Sequence, residues 1–276
     1  MVTQAHEWIS KSVQTLASYF LQQNHPVPED LLELLEKDSR KGARRLAIRI
    51  RRRRLQNRQE GQRLHALLRF ERELWEQGFQ LIAGVDEAGM APLAGPVVAA
   101  AVILPQQYKL QRLDDSKKIP SETRRSEMAK RIKEEAVCWA IGQSEVAEID
   151  TLNIYHAGLL AMKRAVDSLP TKPEYLLVDA RTIHHCALPQ KGIIHGDALS
   201  ASIAAASIIA KTSRDLHMIE MDRKYAGYGF ASNKGYPTAE HLKALKTLGP
   251  LPIHRRTFGP VREVLGLDPV QRKLFL

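Results

Sequence analysis

Between Leu81 and Leu104 the chain reads LIAGVDEAGMAPLAGPVVAAAVIL, two short apolar runs parted by a glycine- and proline-rich turn. Such a pattern predicts two antiparallel strands joined as a hairpin. The first run closes on two adjacent carboxylates, Asp86 and Glu87. Two later apolar runs close in the same way, YLLVDA on Asp179 and GIIHGD on Asp197, and VCWAIGQSEV reads as a further strand. Helical patterns stand between and after them. SETRRSEMAKRIKEEA starts from Ser121 as an N-cap. EIDTLNIYHAGLLAMKRAVDSL reads as one helix with Ile149, Leu152, Leu159, Met162 and Val166 inward. SASIAAASIIAKTSRDLHMIEMDRKY is a long Ala-rich helix, and TAEHLKALKTLG is the last amphipathic one, with Gly249 beyond it. Strands first, then strands alternating with helices, predict an α/β fold built on a mixed sheet.

Carboxylates that end strands are candidate ligands for hard cations, which take oxygen donors gathered from several chain segments. Asp is also a common turn residue, and for any one of these positions that plainer role is the stronger. Three such strand ends in one chain weigh against it. Neighbouring strand residues point to opposite faces, so Asp86 and Glu87 reach one metal site only if the strand ends or bends between them. Gly89 and the prolines after it allow such a bend.

Residues 1–78 differ in character. NHPVPEDLLELLEK reads as a turn followed by a helix start at Pro28, with acidic residues in the first turn. From Arg40 to Arg54, nine of 15 residues are Arg or Lys, and a helix continues through LHALLRFERELWEQG to a stop at Gly78. The 276 residues carry a formal net charge of +10. Nine cations so close together repel one another without anions, which favours phosphate contact over a merely solvated helix face. Cys138 and Cys186 form no CxxC pair, which argues against a disulfide framework or a zinc site. No charged start followed by an apolar stretch opens the chain, and the longest apolar run, Leu93 to Leu104, is shorter than the roughly 20 residues that span a bilayer. A cytoplasmic protein with no membrane partner is expected. The expected organisation is a helical basic module over 1–78, a catalytic domain over 79–267 and a tail over 268–276.

GVDEAGMAPLAGPVVAAAVIL, LDDSKKI, EIDTLNI, YLLVDA, HGDALSASIAAASIIAKTSRD, YGFASNKGYPTAEHL and HRRTFGPV follow one another in the order and approximate spacing of bacterial ribonuclease HII. The resemblance runs from about Leu81 to Leu267, and SRKGARRL and FERELWEQGF resemble the N-terminal extension that some members carry. It implies a ribonuclease H-like fold and hydrolysis of RNA paired with DNA, or of ribonucleotides embedded in duplex DNA. By the same resemblance, Asp86, Glu87, Asp179 and Asp197 form the catalytic, metal-binding quartet for two Mg²⁺ or Mn²⁺ ions, and the products carry a 5′-phosphate and a 3′-hydroxyl. Tyr236 corresponds to the aromatic residue that packs against the ribose at the RNA–DNA junction. Lys117, Lys118 and Lys211 suit phosphate contact. Ser200 and Ser202 could offer hydroxyls or backbone N–H groups to a phosphate at a helix N-terminus. Asp114, Asp115, Asp150 and Asn153 read as structural. His195, where the family often has Lys, would line the site without acting as a base. A monomer is expected.

The chain departs from the family at Met90 and Ala91, which stand where the pattern has Arg and a second Gly. That segment, with Gly89, detects the ribose 2′-hydroxyl largely through main-chain groups. Met90 cannot make a charge-assisted phosphate contact, and Ala91 is restricted wherever glycine would use a positive φ. The resemblance thus leaves hydrolysis expected and junction specificity altered. The alternative is a nucleic-acid-binding homologue that has lost catalysis, and the complete quartet speaks against it.

Overall fold

A computed structural model describes residues 4–106, 108–110, 113–114, 116, 119 and 121–267. The chain divides into two compact units, Met1–Arg63 and Leu64–Leu276. The division falls before the expected boundary at residue 78, because Phe70, Leu74 and Trp75 pack with Ile82, Leu177, Ile193 and Ile203 of the sheet unit.

The first unit holds α1 (Gln4–Ile9), α2 (Val13–Ala17), a π-turn at Ser18–Gln22, α3 (Glu29–Lys37) and most of α4 (Lys41–Leu67). Pro28 precedes α3, and Glu29 and Asp30 sit in its first turn, where the helix dipole favours negative charge. Ala43, Leu46, Ala47 and Ile50 recur at helical spacing along α4. They bury against Leu16, Phe20, Leu31, Leu32 and Leu35.

The second unit opens with the last turn of α4 and continues in α5 (Arg69–Glu76), so the expected continuous helix breaks at Leu68. Its sheet consists of β1 (Ile82–Ala88), β2 (Val97–Ile103), β3 (Cys138–Ser144), β4 (Tyr175–Asp179) and β5 (Gln190–Ile193), in the order β3-β2-β1-β4-β5. β1 and β2 form the expected antiparallel hairpin, β2 pairs antiparallel with β3, and β1, β4 and β5 run parallel. The helices are α6 (Glu122–Glu135), α7 (Val146–Leu152), α8 (Ile154–Asp167), α9 (Gly196–Leu199), α10 (Ala201–Lys224), α11 (Phe230–Asn233), α12 (Ala239–Leu248) and α13 (Gly259–Val264). Ser121 caps α6 as expected. The one helix expected across Ile149 to Val166 is two: Asn153, at φ 68°, ends α7, and its side chain accepts from the first N–H groups of α8. Leu152 is consequently 40% exposed instead of inward. α13 follows α12, which is therefore not the last helix.

Both faces of the sheet are covered. Val97, Ala99, Ala101 and Ile103 of β2 pack toward the cluster that includes Leu159, Met162 and Val166 of α8. Ala100 and Val102 pack with Ile208 and Ile209 of α10 and with Ile132 of α6. The chain of α10 comes closest at Gly84, where an added Cβ would lie 2.0 Å from the Ser202 carbonyl carbon. Only glycine permits that approach. No helix among the described residues is long and apolar enough to cross a membrane.

Candidate active site

Three of the four expected carboxylates leave the sheet at one end. Val85 of β1 lies opposite Val178 of β4, so Asp86 and Asp179 are the next residue on each of two adjacent parallel strands. Asp179 in turn pairs with Ile193 of β5, after which His195, at φ 57°, turns the chain into α9 and Asp197. The Gly196 N–H donates to Asp179 Oδ1 at 2.7 Å, and the Glu87 N–H donates to Asp86 Oδ1 at 2.7 Å. Asp86 and Asp197 are buried. Burial pushes the Asp86 carboxyl well above its ordinary range, and the negative charges of Glu87 and Asp179 push it further, while hydrogen bonds from Ser207 and the Glu87 amide oppose the shift.

β1 stays paired with β2 through Ala88, so the expected bend between the two carboxylates is absent, yet Glu87 lies near enough for its charge to act on the Asp86 carboxyl. Glu87 Oε1 lies 3.7 Å from Arg181 Nη1. Among the described residues no three His, Cys, Asp or Glu side chains already enclose a metal position. The donor set nonetheless fits hard divalent cations, being entirely carboxylate oxygen and mutually repelling without positive charge.

The segment 89–96 after β1 is held by two buried guanidinium groups. Arg255 donates to the carbonyls of Gly89 (2.6 Å), Met90 (3.1 Å) and Gly95 (2.9 and 3.0 Å). Arg214 donates to Pro96, Ala94 and Lys234, each at 3.0 Å. Burial lowers the Arg214 pKa, and burial together with the Arg214 charge pulls Arg255 down to about 9. Gly89 has φ 98°, and a Cβ there would lie 2.2 Å from Arg214 Nε. Ala91 is exposed and has no positive φ, so the expected backbone restriction at that position does not arise. Met90 turns inward against the core beside Gly158, where Arg181 Nη1 also approaches.

Lys211 and Tyr236 come together, with the ammonium 5.8 Å from the ring centroid. Lys211 also pairs with Asp215 at 2.6 Å, and the Tyr236 ring keeps an exposed side. The Tyr236 carbonyl meets a buried histidine pair. The Leu251 N–H donates to His254 Nδ1 at 2.9 Å, the two Nε2 atoms are 3.0 Å apart, and His241 Nδ1 lies 2.8 Å from the Tyr236 carbonyl. A carbonyl only accepts, so His241 carries its proton on Nδ1 and His254 on Nε2. Both rings are then neutral. Burial lowers both pKa values, that of His254 to about 4 with the added effect of His241.

The expected phosphate role of Ser200 and Ser202 is not what the structure shows. Both are fully buried, and their hydroxyls donate to Glu71 Oε1 at 2.6 Å, as does the Ser202 N–H at 2.9 Å. A carboxylate from α5 thus occupies the N-terminus of α10. Glu71 itself is buried, its pKa is raised by desolvation, and its Oε2 has no hydrogen-bond partner. Lys117, Lys118 and Asp115 lie outside the described residues, as does the 268–276 tail. Asp150 accepts from Arg256 and Thr257, a tie between α7 and the segment before α13 that agrees with its structural reading. Sequence reasoning did not single out Glu71, Arg181, Arg214 or Arg255. The available signal was membership of the quoted motifs: Glu71 falls within FERELWEQGF, Arg214 within HGDALSASIAAASIIAKTSRD and Arg255 within HRRTFGPV.

Over residues 83–261 the chain matches the family model described as Ribonuclease HII, and over residues 12–75 the one described as Ribonuclease HII N-terminal domain. It is 62% identical over 256 residues to a protein of Myxococcus xanthus (strain DK1622) named Ribonuclease HII, covering 93% of this chain and 87% of that protein. A protein of the same name from Anaeromyxobacter sp. (strain Fw109-5) is 56% identical over 264 residues, covering 96% and 84%. In fold the chain is similar to the crystal structure of ribonuclease H2 from Pyrococcus horikoshii OT3, with a TM-score of 0.56 at 24% identity over 67% of this chain and 96% of that one.

Proposed function

The chain belongs to the ribonuclease HII family of endoribonucleases, and from that premise we propose that it hydrolyses the RNA strand of RNA/DNA hybrids and incises duplex DNA at embedded ribonucleotides. The observation that carries this reading is the alignment of Asp86 and Asp179 on adjacent parallel strands, with Asp197 one turn beyond β5. Asp86, Glu87, Asp179 and Asp197 would hold two Mg²⁺ or Mn²⁺ ions. Such ions, when bound, supply positive charge to the scissile phosphate and make water a better nucleophile near neutral pH.

The chain's own residues prepare the rest. The Glu87 amide and Ser207 orient the Asp86 carboxyl, and the Gly196 amide orients Asp179. Arg255 and Arg214 fix the carbonyls of segment 89–96, which keeps the main chain of Gly89, Met90 and Ala91 in place to meet a ribose 2′-hydroxyl, the group that separates RNA from DNA. Tyr236 offers its ring to the junction sugar, and Lys211 beneath it faces the backbone. Water attacks phosphorus, an O–P bond forms, and the bond to the 3′-oxygen breaks, leaving 5′-phosphate and 3′-hydroxyl ends. Met90, turned inward, contributes no cation, so preference between a hybrid and a single ribonucleotide differs from that of members with Arg there. The first unit adds sequence-independent affinity for the duplex, and the enzyme works as a cytoplasmic monomer.

The test is cleavage of an all-RNA/DNA hybrid and of a duplex with one ribonucleotide, in Mg²⁺, Mn²⁺ or chelator, with the ends of the products identified. Binding of both duplexes without metal-dependent cleavage would instead identify a homologue that has lost catalysis.

A further inference from the structure

The nine cations between Arg40 and Arg54 are not one population. Five are committed within the first unit. Arg40 bonds Asp38 and the carbonyls of Ile9 and Lys11, Arg44 the carbonyls of Asp38 and Ser39, and Arg53 the Leu21 carbonyl and Asn24. Arg51 pairs with Glu29 and Glu36, and Arg54 with Glu29. The remaining four, Lys41, Arg45, Arg49 and Arg52, are exposed. At 3.6 residues per turn they fall within an arc of about 80°, on the side of α4 away from Ala43, Leu46 and Ile50.

Local stability gives no reason for this row. Lys41 sits in the first turn of α4, where the dipole disfavours a cation and no acidic residue answers it. Lys41/Arg45 and Arg45/Arg49 are like-charge pairs at i,i+4, which repel on a helix surface. No Asp or Glu occurs from Arg40 to Gln59 to relieve them. The row spans 12 residues, about 16 Å of helix. A duplex presents a phosphate about every 3.4 Å along each strand, so a row of that length can track several phosphates of one strand.

We infer that Lys41, Arg45, Arg49 and Arg52 form a phosphate-contacting row that carries the first unit's affinity for double-stranded nucleic acid, while Arg40, Arg44, Arg51, Arg53 and Arg54 hold the unit together. The inference rests on the duplex-binding reading above and assigns it to one helix face.

The test uses the full chain in chelator, with a fluorescein-labelled DNA duplex holding one ribonucleotide and an all-DNA duplex, and reads anisotropy against salt concentration. Each phosphate contact contributes about −0.9 to the slope of log K against log salt. Replacing all four residues by Gln should flatten the slope by about 3 on both probes, and Arg45→Gln with Arg49→Gln by about half of that. Arg45→Lys, Arg49→Lys and Arg52→Lys together should keep the wild-type slope. Arg51→Gln with Arg54→Gln should lower the melting temperature and move the slope by less than one. A four-residue variant with wild-type melting and wild-type slope overturns the row while leaving the duplex-binding reading standing. A wild-type protein without salt-dependent binding to either probe overturns that reading too. If the four-residue variant fails to fold, the two-residue and lysine variants decide.

Discussion

Arg255 reaches 166 positions back along the chain to donate through Nη2 to the Gly89 carbonyl, at 2.6 Å. The same guanidinium serves Met90 and Gly95, so one side chain sets the backbone of the segment assigned to 2′-hydroxyl recognition. Arg255→Lys keeps a cation but loses the planar fork, and is expected to cost about 2 kcal/mol. Arg255→Met leaves buried carbonyls unpaired and should cost about 3–5 kcal/mol. Urea unfolding measures both. If the lysine variant proves as stable as wild type, the fork is not what holds the segment.

Asp86→Asn removes one charge from a crowded, buried group of carboxylates. Without metal the variant should melt at or above the wild-type temperature, since repulsion and desolvation are relieved. Mn²⁺ should raise the melting temperature of wild type more than that of the variant. Cleavage should fall by at least about a hundredfold, the equivalent of about 3 kcal/mol of transition-state stabilisation. Metal-dependent cleavage at the wild-type rate would remove Asp86 from the mechanism.

Glu71 accepts three hydrogen bonds at the start of α10. Glu71→Ala orphans two buried hydroxyls and an amide, for an expected loss of about 2–4 kcal/mol. Glu71→Gln keeps a carbonyl acceptor and should lie within about 1 kcal/mol of wild type. Equal losses in the two variants, by denaturant titration, would contradict the capping role.

The histidine pair predicts an acid-side weakness. His254 takes up its proton near pH 4 when folded and near pH 6.5 when unfolded. Between those values the unfolded state holds more protons, so stability falls as pH drops through the window and levels off below it. At 1% exposure the full effect is on the order of 3 kcal/mol. His254→Gln should flatten the pH dependence of the unfolding free energy between pH 6.5 and 4. A profile unchanged by that substitution would place the titration elsewhere.

Met90→Arg combined with Ala91→Gly should shift the ratio of rates on a single-ribonucleotide duplex and an all-RNA/DNA hybrid by about tenfold, the scale of one charge-assisted contact. Because Ala91 lacks a positive φ, Ala91→Gly alone should leave the ratio alone and lower stability by about 0.4–1 kcal/mol through the unfolded chain. Steady-state kinetics on the two substrates separate these outcomes.

Much of this molecule is legible in its sequence, because apolar runs and their terminators record strands directly. The hairpin of β1 and β2, the carboxylates at the ends of β1 and β4, and the Ser121 cap all follow from local pattern. What escapes is whatever depends on a distant partner. Arg214 and Arg255 belong to a residue type normally at the surface, and nothing local marks them as buried. Ser200 and Ser202 read as free donors until Glu71 is seen to occupy them. The basic run reads as uniform until Glu29, Glu36 and Asp38 are seen to claim part of it. Asn153 is the local exception, a helix break carried by an asparagine that tolerates positive φ.

The spans of these anchors set an order of assembly during synthesis. Within the first unit the arginine ties close over 31 or 32 residues at most (Arg40 to Ile9, Arg53 to Leu21). In the second they close over 129 residues from Glu71 to Ser200 and 166 from Gly89 to Arg255. Contacts between distant segments form late, and a chain leaving the ribosome can make only those whose two ends have both emerged. The first unit is therefore complete while β1 and its two carboxylates still wait for α10, and segment 89–96 waits longest, for residue 255. Hydrogen exchange on stalled nascent chains would show that order as early protection of α3 and α4 and late protection of the amides around Gly89.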